Sequence, residues 1–159
     1  MSETQIYTHT LTNKFSDEYF AQKTYSGTIE SSILHLIADM FSDDTTQING
    51  TEIVCEDIRK ERVVQARAMF FWYLNKCLGY SHWDIFHKYG FSNVNVCNLV
   101  KKHEVDIEIN PFIFHIHKSI WDMGEIWKKN GVVSEKNIVE VNVKHNKKIN
   151  KLTKRHDDN

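Results

Sequence analysis

Basic and amide side chains recur between Arg59 and Lys102, and these residue types suit the binding of a polyanion. The segment opens with a cluster of cations formed by Arg59, Lys60 and Arg62. A long apolar helix is predicted to begin there, although the helix dipole disfavours positive charge at an N-terminus. Cations placed against that preference favour an external anion as partner. Ordinary surface pairing with Glu56, Asp57 or Glu61 is the alternative.

Nine histidines raise the possibility of a metal site. The pairs closest in sequence are His82 with His87 and His115 with His117. Residues two or five apart on a helix diverge around the axis, whereas zinc ligands on one helix are typically three or four apart. The spacing therefore predicts no metal site.

Three cysteines, Cys55, Cys77 and Cys97, form no C-x-x-C pair. They fit reduced thiols that act as small core residues better than a disulfide frame or an activated nucleophile. We therefore expect no cofactor and no enzymatic activity.

Length and composition favour one globular domain, since 159 residues with 41% apolar side chains can bury a core of ordinary size. The longest apolar runs are far too short to span a bilayer. The N-terminus has neither a basic n-region nor an apolar h-region, so nothing indicates export. We expect a cytoplasmic protein that does not contact a membrane.

The net charge of −1 conceals an asymmetry along the chain. Residues 1–58 carry a net charge of −8, and residues 59–159 carry +7. The second part is where a polyanion would bind, and the acidic part could contact a protein partner. A solvated charged surface is the ordinary alternative.

Apolar spacing predicts a mostly helical fold. Helices are expected over about 28–41 and 57–78, the second apolar nearly all round and therefore central. Between them, Asn49-Gly50 lies between the segments TTQI and TEIV and predicts a β-hairpin over about 45–54.

Two further helices follow with clear local start signals. Ser81 and Asp84 form a capping-box pattern, Gly90 marks a stop, and Ser92 offers a second N-cap. Two capped helices around a glycine turn predict a helix-turn-helix, whose second helix would place Asn93 and Asn95 near base edges. The candidate DNA-binding residues are Arg59, Lys60, Arg62, Arg67, Ser92, Asn93, Asn95, Asn98, Lys101 and Lys102.

The ends of the chain carry weaker signals. Asn110-Pro111 predicts the start of a last helix that stops at Asn130-Gly131. Alternating valines predict a short strand at 139–143, and the basic segment 144–156 is typical of a disordered tail that attracts phosphates. The predicted organisation is an N-terminal arm over 1–27 with a short strand at 5–11, a helical domain over 28–130, and an extension over 131–159.

Four tryptophans could stack on single-stranded bases. They are Trp72, Trp83, Trp121 and Trp127. All four lie in apolar helical stripes, so we interpret them as core residues.

The stretch Arg59 to Leu74 and the helices after it resemble the C-terminal DNA-binding domain of DnaA, the bacterial replication initiator. The similarity covers roughly Ile29 to Trp121. Residues that fit the family's R-x-[IV]-V-x-A-R pattern are Arg62, Val63, Val64, Ala66 and Arg67. Residues that fit its turn glycine, recognition-helix valine and basic pair are Gly90, Val96, Lys101 and Lys102. The resemblance implies a helical bundle with a helix-turn-helix, like that of Trp repressor, with the basic loop at the minor groove or its phosphates.

The family's base-reading sequence, Asp-His-Thr-Thr-Val, is replaced here by Ser92-Asn93-Val94-Asn95-Val96. The resemblance therefore implies a different DNA sequence or weak specificity. The initiator's ATPase is not expected, because the chain has no G-x-x-x-x-G-K-[ST] motif.

We therefore predict a non-enzymatic protein that binds double-stranded DNA in the control of replication or transcription. A free-standing domain of this kind suggests a phage or mobile element. The alternative is a protein-interaction or virion-associated module that keeps the helical scaffold without DNA readout.

Overall fold

The computed structural model describes residues 29–129 and 138–157, with side chains described for 30–123 and 144–157. These residues form helices and no strand. The helices are α1 (Ile29–Phe41), α2 (Gly50–Ile53), α3 (Glu61–Lys76), α4 (His82–Tyr89), α5 (Asn93–Ile109), α6 (Pro111–Lys129) and α7 (Ile138–Asp157). A mostly helical bundle is thus confirmed, and no helix in the described part is long and apolar enough to cross a bilayer.

Helix α3 is the centre of the bundle, as its apolar sequence predicts. It contacts α1, α2, α4 and α5, and every residue from Ala66 to Leu74 is buried. Phe71 packs its ring edge-on against Phe91, with 4.9 Å between centroids, at the entry to α5. Such aromatic contacts fix the position of α5 relative to α3.

The predicted caps of α4 and α5 are confirmed. The Ser81 hydroxyl accepts a hydrogen bond from the Asp84 amide, and the Asp84 carboxylate accepts one from the Ser81 amide. Gly90 ends α4 in the left-handed region, at φ 80°, which glycine adopts without strain. The Ser92 hydroxyl then caps α5 by accepting from the Asn95 amide.

The hairpin predicted at 45–54 is wrong. Asn49 is the N-cap of the short helix α2, in a capping box with Glu52. Gly50 is buried, and a Cβ atom there would lie 3.1 Å from the Leu34 side chain. The glycine permits a close approach between α2 and α1, and no two-residue strand turn exists there.

The strand predicted at 139–143 and the disordered tail predicted at 144–156 are also wrong, because these residues belong to α7. Its buried side chains His145, Ile149 and Leu152 recur at helical spacing. Near the C-terminal end of this buried face, the His156 ring packs on Phe114, with ring centroids 4.8 Å apart. The helix therefore completes the bundle.

Helices over 28–41 and 57–78 are confirmed with slightly different ends, and so is the helix that starts at Pro111. The arm over 1–27, the strand at 5–11 and the stop at Asn130-Gly131 lie outside the described residues.

Candidate nucleic-acid interface

The loop between α2 and α3 carries Arg59 and Lys60 of the predicted basic cluster, and Arg62 lies in the first turn of α3. Arg67, further along α3, holds this loop in place. The Arg67 side chain is 3% exposed. Its Nε donates to the carbonyl of Ile53 at 2.6 Å, and Nη2 donates to the carbonyls of Glu52, Cys55 and Ile58. Burial lowers the pKa of Arg67, although arginine remains cationic at every physiological pH.

The sequence makes Arg67 a candidate for contact with phosphate, with a core-edge arginine in a salt bridge as the alternative. Neither describes its main role, since backbone carbonyls take its donors and its guanidinium lies 5.2 Å from the Phe91 ring centroid. It positions the loop against the start of α5, and it forms part of the floor of a depression described below.

The three cations of the predicted cluster separate. Arg62 donates to the Asp43 carboxylate at 2.7 Å and to the Phe41 carbonyl at 3.2 Å, and it lies over the Phe112 ring. This pairing holds the pKa of Asp43 far below its usual value. Surface pairing, with an acid outside the three expected ones, therefore accounts for Arg62. Arg59 and Lys60 remain exposed.

The start of α5 presents most of the predicted amide side chains. Asn93, Asn95 and Asn98 are exposed, and Val94 between them is 68% exposed. The Asn95 amide donates to the Glu56 carboxylate at 3.0 Å across from the loop. The free protein thus occupies one of the two base-contact candidates with its own carboxylate.

The basic pair one turn further along α5 is divided. Lys101 is exposed. Lys102 is half-buried, with Nζ 3.4 Å from an Asp106 oxygen and 3.7 Å from a Glu61 oxygen. Glu61 is exposed, so its pair with Lys102 is weak, whereas the buried Asp106 carboxylate holds Lys102 more firmly.

An open depression of about 330 Å³ lies between the loop and α5. Its lining consists of Glu56, Arg59, Arg67, Phe91, Asn95, Asn98, Leu99 and Lys102. Five of the ten predicted site residues therefore meet at one place. Asn93 and Lys101 lie on the same helix outside the lining, Ser92 serves as a cap, and Arg62 is engaged with Asp43.

Glu56 is the charged residue of this lining that the sequence analysis did not assign to the site. The sequence predicts it only as an ion-pair partner of the basic cluster. Its place opposite Asn95, 39 positions along the chain, depends on the packing of the loop against α5.

A second polar feature, a chain of buried histidines, was also missed. His103 Nε2 lies 2.8 Å from His117 Nδ1, and His117 Nε2 lies 2.6 Å from His145 Nε2. The rings pack among Trp72 and Trp121, with the Trp121 centroid 4.4 Å from that of His145. The only signal in the sequence was the position of His103 in the apolar stripe of α5.

Burial holds the histidine chain in its neutral form. It lowers the pKa of His103 to about 3 and that of His145 to about 4, and it lowers the pKa of His117 well below its usual value. The positive charge of Lys148 adds to these shifts. Both ring nitrogens of His117 are used within the chain, and no group of three or more ligating side chains in the described part is arranged to hold a metal ion.

The core assignment is confirmed for Trp72 and Trp121 and is wrong for Trp83, which is 54% exposed. Trp83 packs on the edge of His87, with centroids 4.5 Å apart on the outer face of α4. The side chain of Trp127 lies outside the described set. The three cysteines are partly buried free thiols, and burial raises the pKa of Cys77.

We compared the chain with protein-family models, with curated proteins and with solved structures. No match was found in any of the three.

Proposed function

We propose that this protein binds double-stranded DNA without catalysing a reaction, and that it acts in the control of replication or transcription of a phage or mobile element. The surface would be the loop over 55–60 together with the first two turns of α5. The observation that carries the proposal is the convergence of cations and amides, from two separate segments, on one depression beside an exposed helix start.

The shape of this surface suits a groove of duplex DNA. Helix α5 starts with exposed Asn93, Val94 and Asn95, directly after the tight turn at Gly90. In helix-turn-helix proteins the N-terminal residues of the second helix meet base edges in the major groove. An Asn amide can pair with both the N6 and N7 of adenine, and an apolar side chain such as Val94 can contact the methyl group of thymine.

The charges suit the phosphates that flank such a groove. Arg59 and Lys60 project from the loop, and Lys101 and Lys102 lie one to two turns along α5. Contacts to phosphate fix the orientation of a protein on the duplex and supply most of its affinity at low salt.

Glu56 adds a cost to binding and a basis for selectivity. Binding through Asn95 requires its hydrogen bond to Glu56 to open, which costs about 1 kcal/mol for an exposed pair. The carboxylate released could accept from the N4 amino group of cytosine, and it would repel a phosphate.

The resemblance to the DnaA C-terminal domain supports the same surface, since it implies a basic loop and a recognition helix at these positions. The replaced signature at 92–96 means that this chain would read another sequence. The proposal thus predicts sequence preference without affinity for the initiator's own site.

Selection from a randomised duplex pool, followed by binding measurements across a salt series, tests this function. Replacing Arg59 and Lys60 by Ala should weaken binding to all sequences and reduce the salt dependence. Replacing Asn93 and Asn95 by Ala should change the enriched sequence more than the salt dependence. Lys76, exposed at the end of α3, provides the control Lys76→Ala. If the wild-type protein retains no duplex at low salt, the proposal is wrong.

A second candidate function, a protein-interaction module, is favoured by a partly apolar depression between α1 and the segment over 48–54. It is about 380 Å³ and is lined in part by Leu34, Ala38, Ile48 and Val54. Purification at low salt separates the two candidates, because a DNA-binding protein should carry nucleic acid with it. An absorbance spectrum of pure protein would favour the module.

A further inference from the structure

Helix α7 presents a row of cations on the side that faces away from the core. Over residues 144–157 the helix holds six Lys or Arg and one acid, Asp157. The exposed members are Lys144, Lys147, Lys151, Lys154 and Arg155, which we call the α7 stripe. None of them forms an ion pair with any residue whose side chain the structure describes.

The spacing of the stripe sets like charges against one another. Lys144, Lys147, Lys151 and Lys154 follow one another at intervals of three or four residues, and Arg155 lies four residues after Lys151, so the side chains are neighbours on one face. Like charges at this spacing destabilise a helix, and only the last turn gains from the helix dipole. Burial of Ile149 and Leu152 must offset this repulsion in the free protein, and a bound polyanion would remove it.

The chemistry of the stripe favours phosphates of a duplex over other polyanions. From Lys144 to Lys154 the helix rises about 15 Å, which matches about four phosphates of one strand. Lysine contacts phosphate as a flexible point charge and reads no base. Residues 144–157 contain no Phe, Tyr or Trp on which the bases of a single strand could stack.

A membrane surface is a poorer partner for the same cations. An amphipathic helix that lies on a bilayer inserts its apolar face into the lipid. In α7 that face is already covered, because Ile149 and Leu152 are 4% and 1% exposed and His145 is joined to His117.

We propose that the α7 stripe is a second DNA-contacting surface, which binds the phosphate backbone of duplex DNA without sequence preference. This inference rests on the proposed function and adds to it a surface on a different helix from α5. One chain could then hold two segments of duplex, or one segment that bends from α5 to α7.

The test compares the full chain with Lys147→Gln, Lys151→Gln, and with the charge-keeping variant Lys147→Arg, Lys151→Arg. Binding to a duplex of about 30 base pairs is measured by fluorescence anisotropy between about 0.05 and 0.3 M salt. Loss of two phosphate contacts should lower the slope of log K against log salt by about 1.8, and affinity near 0.1 M should fall about 60-fold. The arginine variant should bind like the wild type. Circular dichroism checks that α7 stays helical, as expected for exposed positions.

The outcomes separate this inference from the proposed function. If the glutamine variant binds like the wild type while Arg59→Ala, Lys60→Ala weakens binding, the stripe is only a solvated face and the proposed function stands. If no duplex binds to any variant, both fail. Anionic phosphatidylserine vesicles serve as a second probe, and stripe-dependent binding to vesicles without a change in DNA binding overturns the inference in favour of a membrane.

Discussion

The buried histidine chain predicts a loss of stability in mild acid. In the folded protein the pKa values of His103 and His145 are about 3 and 4, whereas histidine in an unfolded chain has its ordinary value near 6.5. Below pH 6.5 these histidines therefore bind protons in the unfolded protein but not in the folded protein. The free energy of unfolding therefore has its full value above pH 6.5 and decreases progressively as the pH falls toward the pKa values of the folded protein.

The magnitude follows from the same values. Each histidine that stays neutral in the folded state lowers the free energy of unfolding by about 1.4 kcal/mol for every pH unit below 6.5. At about pH 4.5 each of the three rings lowers the free energy of unfolding by close to 2.7 kcal/mol, and together they lower it by at most about 8 kcal/mol. Domains of this size are stable by about 5 to 15 kcal/mol, so the loss should unfold the protein or release α7 from the core.

Urea unfolding between about pH 7.5 and 4.5 measures this loss of stability. Unfolding can be followed by the fluorescence of Trp72 and Trp121, which pack against the buried histidines. His117→Phe should be less stable at neutral pH and should lose less stability on acidification, because one neutral ring is removed and its neighbours gain freedom to relax. The exposed His115 gives the matched control His115→Gln, which should keep the wild-type pH dependence.

Carboxylates account for little of a loss in this window, because the lowered pKa of Glu30 matters only near and below its ordinary value of 4.5, and the raised pKa of Asp106 stabilises the folded protein as the pH falls. The pKa values of Asp43 and Asp84 are lowered, so their contributions persist until the pH falls through their ordinary value of 3.8. A free energy of unfolding that is constant from pH 7.5 to 4.5 would refute the argument. So would a pH dependence that is unchanged in His117→Phe.

Three further changes test the scaffold of the candidate site by thermal or urea unfolding. Arg67→Lys should cost about 2 to 4 kcal/mol, since one ammonium group cannot replace a guanidinium on four carbonyls, and protease sensitivity should rise at the loop over 54–58; a stable variant with an intact loop would contradict this role. Gly50→Ala should lower the free energy of unfolding by about 1 to 3 kcal/mol through its contact with Leu34. The double variant Gly50→Ala, Leu34→Ala should be more stable than the sum of the two single changes predicts. Ser81→Ala should cost about 1 kcal/mol through loss of its cap, whereas a cost near zero would mean that α4 needs none.

The parts of the fold that sequence predicts well are those decided within a few residues. The caps at Ser81 and Ser92 and the stop at Gly90 depend on hydrogen bonds between near neighbours, and all three are confirmed. The periodicity of α3 likewise depends only on its own side chains.

The failures occur where a distant residue decides the outcome. Gly50 resembles a hairpin glycine, and only the approach of Leu34 explains it. The segment over 144–156 resembles a disordered tail, and its helix is explained by partners from other helices, which are His117 and Phe114 of α6 and the Ile107 carbonyl of α5.

The candidate site divides in the same way. The cations and amides were identifiable from composition and cap positions, and five of them do meet at one depression. Arg67 and Arg62 were misassigned, because the carbonyls and the carboxylate that engage them come from segments 9 to 21 residues away. Whether an arginine faces solvent depends on such partners, which periodicity does not reveal.

The histidine chain also couples three helices through the positions of its protons. Three neutral imidazole rings carry three N–H protons, one on each ring, and two of these protons lie in the two hydrogen bonds. His103 Nδ1 is buried without a hydrogen-bond partner among the described residues, and an orphaned buried donor is rarer than an orphaned acceptor. The third proton therefore belongs on Nδ1 of His145, and His103 and His117 both carry theirs on Nε2. A single bare nitrogen at one end of the chain thus sets the tautomer of every ring, so that α5, α6 and α7 share one protonation pattern.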